Sequence, residues 1–205
     1  MPERSGLLLD WGGVMTTNLF EAFSAFCAEE GLALEAVAQA FRDDPAAREA
    51  LIDLECGRIE IDAFEPRLAV ALGLAEDRAT GLVGRLFGAV APEPAMLDAV
   101  VALRAGGVRT GLLSNSWGGA SYDRARFTEL FDVLVVSGEE GMRKPDPRIY
   151  ELALRRIGLP PEEVVFVDDL PFNLKPPREM GIHTIHHTSA AETIPQLEEL
   201  LGVRV

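Results

Sequence analysis

The sequence lacks any apolar run approaching the roughly 20 residues that a membrane-spanning helix needs. Near its start only Leu7–Leu9 precede an acid, Asp10, too short a stretch for the core of a secretory signal. Cysteine is scarce, with two in 205 residues. Cys27 and Cys56 form no metal-binding pattern, and a reduced, cytoplasmic setting is the simplest expectation. Positive charge is also short: 19 Lys and Arg face 33 Asp and Glu, for a net charge of −14. That field disfavours nucleic acid and anionic membranes, so neither is an expected partner. It would also repel an anionic ligand unless local cations received it. The three histidines, His183, His186 and His187, have no cysteine or acidic motif beside them, so a structural role is expected rather than zinc. No internal repeat and no low-complexity segment is present.

What remains is the composition of an ordinary globular protein, 48% hydrophobic and 25% charged, able to bury a core. The length suits one domain with an insertion, or two small ones. Five short apolar runs end at polar residues or glycine: Gly6–Trp11, Val108–Ser116, Val133–Gly138, Val164–Asp169 and His183–His187. Strands this short, apolar on both faces, belong inside a parallel sheet covered by helices. Helical patterns separate them. Met96, Leu97, Val100, Val101 and Leu103 mark one face, and Gly106–Gly107 stop it. Asp146 is a good N-cap, Pro147 fits the first helical position, and Gly158 ends the stripe Ile149, Leu152, Ala153, Ile157. Ile194, Leu197, Leu200 and Leu201 mark the last helix. The alternation predicts an α/β fold with a doubly wound, Rossmann-like parallel-sheet core.

Residues 16–90 break the alternation and read as helices alone. Leu19, Phe20, Phe23, Phe26 and Cys27 follow the helical period, as do Ile61, Phe64, Leu68 and Leu72. The expected division is an α/β core from 1–15 and 91–205, with 16–90 as an all-helical cap over the carboxyl edge of the sheet. Ligands bind at that edge in open α/β sheets.

Polar groups sit at the strand ends that should meet there. Asp10 ends the first, Ser114 and Asn115 the second, and Asp168 and Asp169 the fourth, while Lys144 follows the third. Neighbouring strands lie about 4.8 Å apart, so these groups can share one crevice. Together they suit phosphoryl transfer: an Asp to attack phosphorus, acids to hold a hard cation such as Mg²⁺, and Ser and Lys to bind phosphoryl oxygens. Gly12 and Gly13 would let backbone N–H groups approach the anion closely. Asp168 and Asp169 are the hardest pair to explain otherwise, since adjacent acids ending an apolar strand repel unless a cation or donor balances them. Trp11 and Trp117 flank the crevice. Arg143 either adds positive charge near the substrate or serves the surface, and Arg42 and Arg58 read as solvated helix faces. The phenylalanines of the first predicted cap helix read as core, with room for one or two in a pocket.

The segments LLLDWGGV, GLLSNS, MRKPDPRIY and VVFVDDLPFN, in this order, resemble the haloacid dehalogenase superfamily. GRIEIDAF and NLKPPREMGIHTI bring the chain closer to the sugar-phosphate phosphatases and the phosphatase domain of soluble epoxide hydrolases. The resemblance implies that Asp10 is the nucleophile and forms an aspartyl-phosphate. It implies that Ser114 and Lys144 bind the phosphoryl group; Asn115, Trp11, Gly13 and Arg143 are the candidate residues on the substrate side of the crevice. It implies a Mg²⁺ site of Asp10, the Gly12 carbonyl and Asp169, with Asp168 acting through water. Asn173 is placed to buttress this loop. In Lys175–Glu179 the helix is expected to start near Pro177, because proline tolerates only the first turn.

The departure from the family pattern is Gly12. Phosphatases of the family usually carry a second Asp there, which protonates the leaving group and then activates water. Such help is typically worth about 10²–10⁴-fold. Its absence points to a substrate with a weakly basic leaving group, such as a sugar 1-phosphate. The leading expectation is a Mg²⁺-dependent phosphatase for a small phosphorylated metabolite. A 2-haloacid dehalogenase is also compatible with Gly12 but needs no metal and usually lacks the tandem acids. A binding protein that has lost catalysis is the third reading. The oligomeric state stays open between monomer and homodimer.

Overall fold

The computed structural model describes residues 4–118 and 124–205. Five strands form one sheet: β1 (Gly6–Leu9), β2 (Arg109–Ser114), β3 (Val133–Val136), β4 (Val164–Asp168) and β5 (His183–His186). Their order is β3-β2-β1-β4-β5, and every pairing is parallel. β1 is central, and Leu7, Leu8 and Leu9 are fully buried. Successive side chains alternate between faces. Leu7 and Leu9 join one core cluster, while Leu8 joins another on the far side.

Helices cover both faces. In chain order after β1 come α1 (Leu19–Glu29), α2 (Ala36–Asp43), α3 (Pro45–Glu55), α4 (Ile61–Ala71) and α5 (Leu82–Leu86). Then follow α6 (Pro94–Ala105), α7 (Arg124–Leu130), α8 (Ser137–Glu140), α9 (Pro147–Ile157), α10 (Lys175–Glu179) and α11 (Ala190–Leu201). α6 and α11 pack with Leu7 and Leu9 through Met96, Val100, Leu197 and Leu201. α9 closes the other face with Ile149, Tyr150, Ala153 and Ile157. Its N-cap is Asp146, whose carboxylate accepts from Arg148 N, and Gly158 closes it with φ 69°. Fixed φ at Pro147 and the left-handed turn at Gly158 make these ends legible in sequence.

One boundary differs from expectation. α10 begins at Lys175, so Pro176 and Pro177 both lie in its first turn. First-turn N–H groups have no intrahelical acceptor, so two prolines there forfeit no helical bond.

α1–α5 form a helical insert with its own cluster, built on Phe26, Leu54, Phe64, Leu68, Leu82 and Leu86. The chain leaves and re-enters the sheet layer through paired segments: Thr17 N donates to Ala91 O at 2.8 Å and Glu93 N to Met15 O at 2.9 Å. A second seam lies at Gly57, which has φ 66° and packs on Gly138; an added Cβ would stand 2.2 Å from the Gly138 carbonyl oxygen. Only glycine meets both demands. Among the described residues no helix is long and apolar enough to cross a membrane.

Candidate active site

The carboxyl edge of the sheet gathers Asp10, Ser114, Asn115, Lys144, Asp168 and Asp169. Lys144 is fully buried. Its ammonium lies 2.9 Å from Asp10 Oδ1 and 2.6 Å from Asp168 Oδ2. The Phe166 ring centroid is 5.5 Å from its Nζ. Burial works against the charged ammonium, but Asp10 and Asp168 more than offset this and hold its pKa above the usual lysine range. Most lysines on a loop before proline are solvated; this one is drawn inward because β3 delivers its loop beside two strand-end acids.

Asp168 is saturated with donors. Besides Lys144, Leu170 N reaches its Oδ1 at 2.9 Å, and Asn173 Nδ2 donates to both oxygens at 3.0 and 3.2 Å. Asn173 thus buttresses the loop as expected. Asp10 receives Lys144 and its neighbour's amide, Trp11 N at 2.7 Å, on the same oxygen, Oδ1. Burial pushes the Asp10 carboxyl up to about 6; Lys144 pulls it down and Asp168 pushes it up again. Burial likewise raises Asp169 to about 7, helped by Asp10 and Asp168.

Ligand atoms of Asp10, Asp168 and Asp169 lie within 4.8 Å of one another. Three carboxylates against one ammonium leave two formal negative charges. A divalent hard cation with oxygen ligands fits that donor set.

Several expected residues sit in the site but are engaged differently. Gly13 has φ 72°, and a Cβ there would stand 2.4 Å from Asp169 Oδ2. Its N–H donates to Thr16 Oγ1 at 2.9 Å. Gly13 therefore makes room for Asp169 instead of offering an open N–H to an anion, which corrects the expectation. Asn115 lines the cavity, but its amide is engaged reciprocally with the Lys144 backbone, at 3.1 and 2.9 Å. It fixes the lysine loop. Trp11 lines the cavity and packs edge-on against Phe127 at 4.5 Å. Trp117 lines it too and packs among insert aromatics, 5.2 Å from Phe87 and 5.6 Å from Phe64. Arg42 and Arg58 are exposed and pair with Asp43 and Asp53. His186 Nε2 meets the Asp169 carbonyl at 3.0 Å, and His187 Nδ1 meets Thr193 Oγ1 at 2.9 Å, so both rings have structural partners.

Two features of the site were not foreseen. Glu55, at the end of α3, is buried and forms an ion pair with Arg143, its Oε2 2.5 Å from Arg143 Nε. Burial pushes its carboxyl up to about 7 against the pull of Arg143 and Lys144. Arg143 is thus a partner of the insert, not a surface residue. The available signal was an acid on the apolar stripe of α3, alongside Ala47, Ala50 and Leu54. The second feature is Leu19. A Cβ on Gly12 would stand 2.8 Å from Leu19 Cδ1. An apolar side chain from α1 occupies the space beside position 12, and no local pattern reveals that pairing.

A family model described as haloacid dehalogenase-like hydrolase matches residues 5–181. Mammalian relatives match at 36–43% identity but are much longer, and the chain spans 10–21% of their length. One is bifunctional epoxide hydrolase 2 of Sus scrofa, 38% identical over 54% of this chain and 21% of that protein. A sesquiterpene phosphatase of Aspergillus oryzae is 28% identical over 72% of this chain and 77% of that protein. A solved HAD-like hydrolase from Porphyromonas gingivalis superposes with a TM-score of 0.69 at 25% identity, covering 97% of this chain and 98% of that one. The chain belongs to the haloacid dehalogenase-like hydrolase family.

Proposed function

We propose that the chain is a Mg²⁺-dependent phosphatase acting on a small phosphorylated metabolite through an aspartyl-phosphate at Asp10. The observation that carries the reading is the buried Lys144 ammonium held between Asp10 and Asp168, with Asp169 beside them. Lys144 and Trp11 N engage Asp10 Oδ1, and Oδ2 is assigned as the attacking oxygen. It forms a bond to phosphorus as the ester P–O bond breaks, and the electron pair leaves on the alcohol oxygen, which takes a proton from solvent. Water then cleaves the aspartyl-phosphate, releasing inorganic phosphate and regenerating the Asp10 carboxylate. Lys144 and Ser114 bind phosphoryl oxygens. Asp10, Asp169 and the Gly12 carbonyl would hold Mg²⁺, with Asp168 behind them. The ion would offset charge on the phosphoryl oxygens. Asp168 orients Lys144, and Asn173 and Leu170 N hold Asp168 in place. The insert acts as a cap that shields the reaction from bulk water.

The named activity of the Aspergillus relative supports phosphatase chemistry. Tandem acids at 168 and 169 favour it over metal-free halide displacement. The test is phosphate release from 4-nitrophenyl phosphate and a metabolite panel, with Mg²⁺ and with EDTA, for wild type and Asp10→Asn. Activity that needs Mg²⁺ and is lost in Asp10→Asn is expected. Halide release from 2-haloacids in EDTA, without phosphate release, would overturn the reading.

A further inference from the structure

Resting on the phosphatase reading, we propose that the substrate is a phosphomonoester whose organic group is a hydrocarbon chain or ring, not a sugar. A cavity of about 630 Å³ opens over Asp10 between the insert and the sheet edge. That volume is in the range of small-molecule sites, about 300–1,000 Å³. Its floor is polar, and most of its wall is apolar: Leu19, Phe20 and Phe23 of α1, Leu51 of α3, Phe87 and Trp117.

Several of the polar side chains that line it, Glu65, Thr16, Asn115 and Glu55, are already engaged within the protein. Glu65 accepts from Gly81 N at 2.8 Å and Val83 N at 2.9 Å, one bond on each oxygen. The Thr16 hydroxyl accepts from Gly13 N and donates to Thr17 O. Asn115 is engaged with the Lys144 backbone, and Glu55 is ion-paired with Arg143. A sugar entering this space would lose water from its hydroxyls and find few protein partners among the apolar walls, which is unfavourable for each group so buried. A hydrocarbon gains on the same transfer.

Two further observations point the same way. Leu19 fills the space beside Gly12, so the apolar wall reaches down to the nucleophile. The cavity also includes two half-exposed phenylalanines, Phe20 from the insert and Phe172 from the loop after β4, each 53% exposed. A single exposed aromatic says little. Two that share one cavity, from both structural layers, give an apolar group a continuous path inward.

The experiment uses 4-alkylphenyl phosphates, whose leaving phenol keeps a constant basicity as the chain lengthens. With Mg²⁺, kcat/KM is expected to rise about fourfold per added methylene until the cavity is filled. Glucose 1-phosphate is expected to fall below the shortest member. Decylphosphonate, which cannot be hydrolysed, should raise the thermal midpoint of the wild-type protein more than butylphosphonate does. Leu51→Asn should flatten the chain-length slope, with circular dichroism reporting its fold. If that variant is unfolded, the wild-type phosphonate series still decides. A flat chain-length series, or faster turnover of the sugar phosphate, would overturn the inference while the phosphatase reading stands. No phosphate release from any ester, 4-nitrophenyl phosphate included, would overturn both.

Discussion

Placing a carboxylate at position 12 tests whether a missing proton donor limits the chemistry. Gly12 lies outside the left-handed region, so its backbone accepts any L-residue. The obstacle is local: a Cβ there stands 2.8 Å from Leu19 Cδ1 and 3.6 Å from its Cγ. Crowding of this kind costs about 1–3 kcal/mol. For a chain of this length that lowers the thermal midpoint of Gly12→Asp by about 2–12 °C. Leu19→Ala removes those atoms and clears the space, so the double variant should recover part of the loss. A positioned general acid contributes about 10²–10⁴-fold, or about 3–5 kcal/mol of barrier. The gain should depend on the leaving group. Butyl phosphate, with a basic alkoxide, should gain at least about 10²-fold in the double variant, and 4-nitrophenyl phosphate, whose phenolate needs no proton, less than about threefold. Steady-state kcat/KM for both esters in wild type, each single variant and the double variant decides the matter. A folded double variant with no selective gain, or the same gain from Leu19→Ala alone, would refute the argument that position 12 lacks a proton donor.

Glu55→Gln tests the buried Glu55–Arg143 pair. Moving the carboxyl from its ordinary 4.5 to about 7 means the folded state holds its proton while the unfolded state has lost it. Stability from this group is therefore lost as pH rises from about 4.5 to 7, by up to about 3 kcal/mol. Wild type and Glu55→Gln should have similar thermal midpoints at pH 4.5, with the variant ahead by about 5–10 °C at pH 8; parallel pH curves would contradict the burial argument. Lys144→Met leaves Asp10 and Asp168 without their shared cation, and should cost about 3–5 kcal/mol in urea denaturation with EDTA present. An unchanged midpoint there would mean that the ammonium does not balance the two acids. Gly57→Ala forces a left-handed alanine against the Gly138 carbonyl, and should cost about 1–3 kcal/mol and lower the thermal midpoint. A neutral result would show that the insert is not seated on the sheet layer at that point.

The strand-end acids and the helix caps depend on local chemistry, and local chemistry is written in the sequence. An apolar run that stops at Asp10, or at Asp168 and Asp169, already states that a buried strand ends in a crevice. Asp146–Pro147 and Gly158 bound α9 because backbone angles at proline and glycine are set within a residue or two. The four motifs then indicated the family through their order. Tertiary structure decided what depends on residues far apart in the chain. Lys144 is buried because the loop after β3 meets the ends of β1 and β4. Gly13 is a glycine because Asp169, 156 positions later, stands where its side chain would be. Asn115 turned out to hold the lysine loop, and Arg143 to meet Glu55 of the insert. The missing acid at Gly12 was plain in sequence, but the leucine that fills its place was not. Side-chain packing between the insert and the sheet edge obeys no local periodicity, so the shape and polarity of the cavity existed only once the chain had folded.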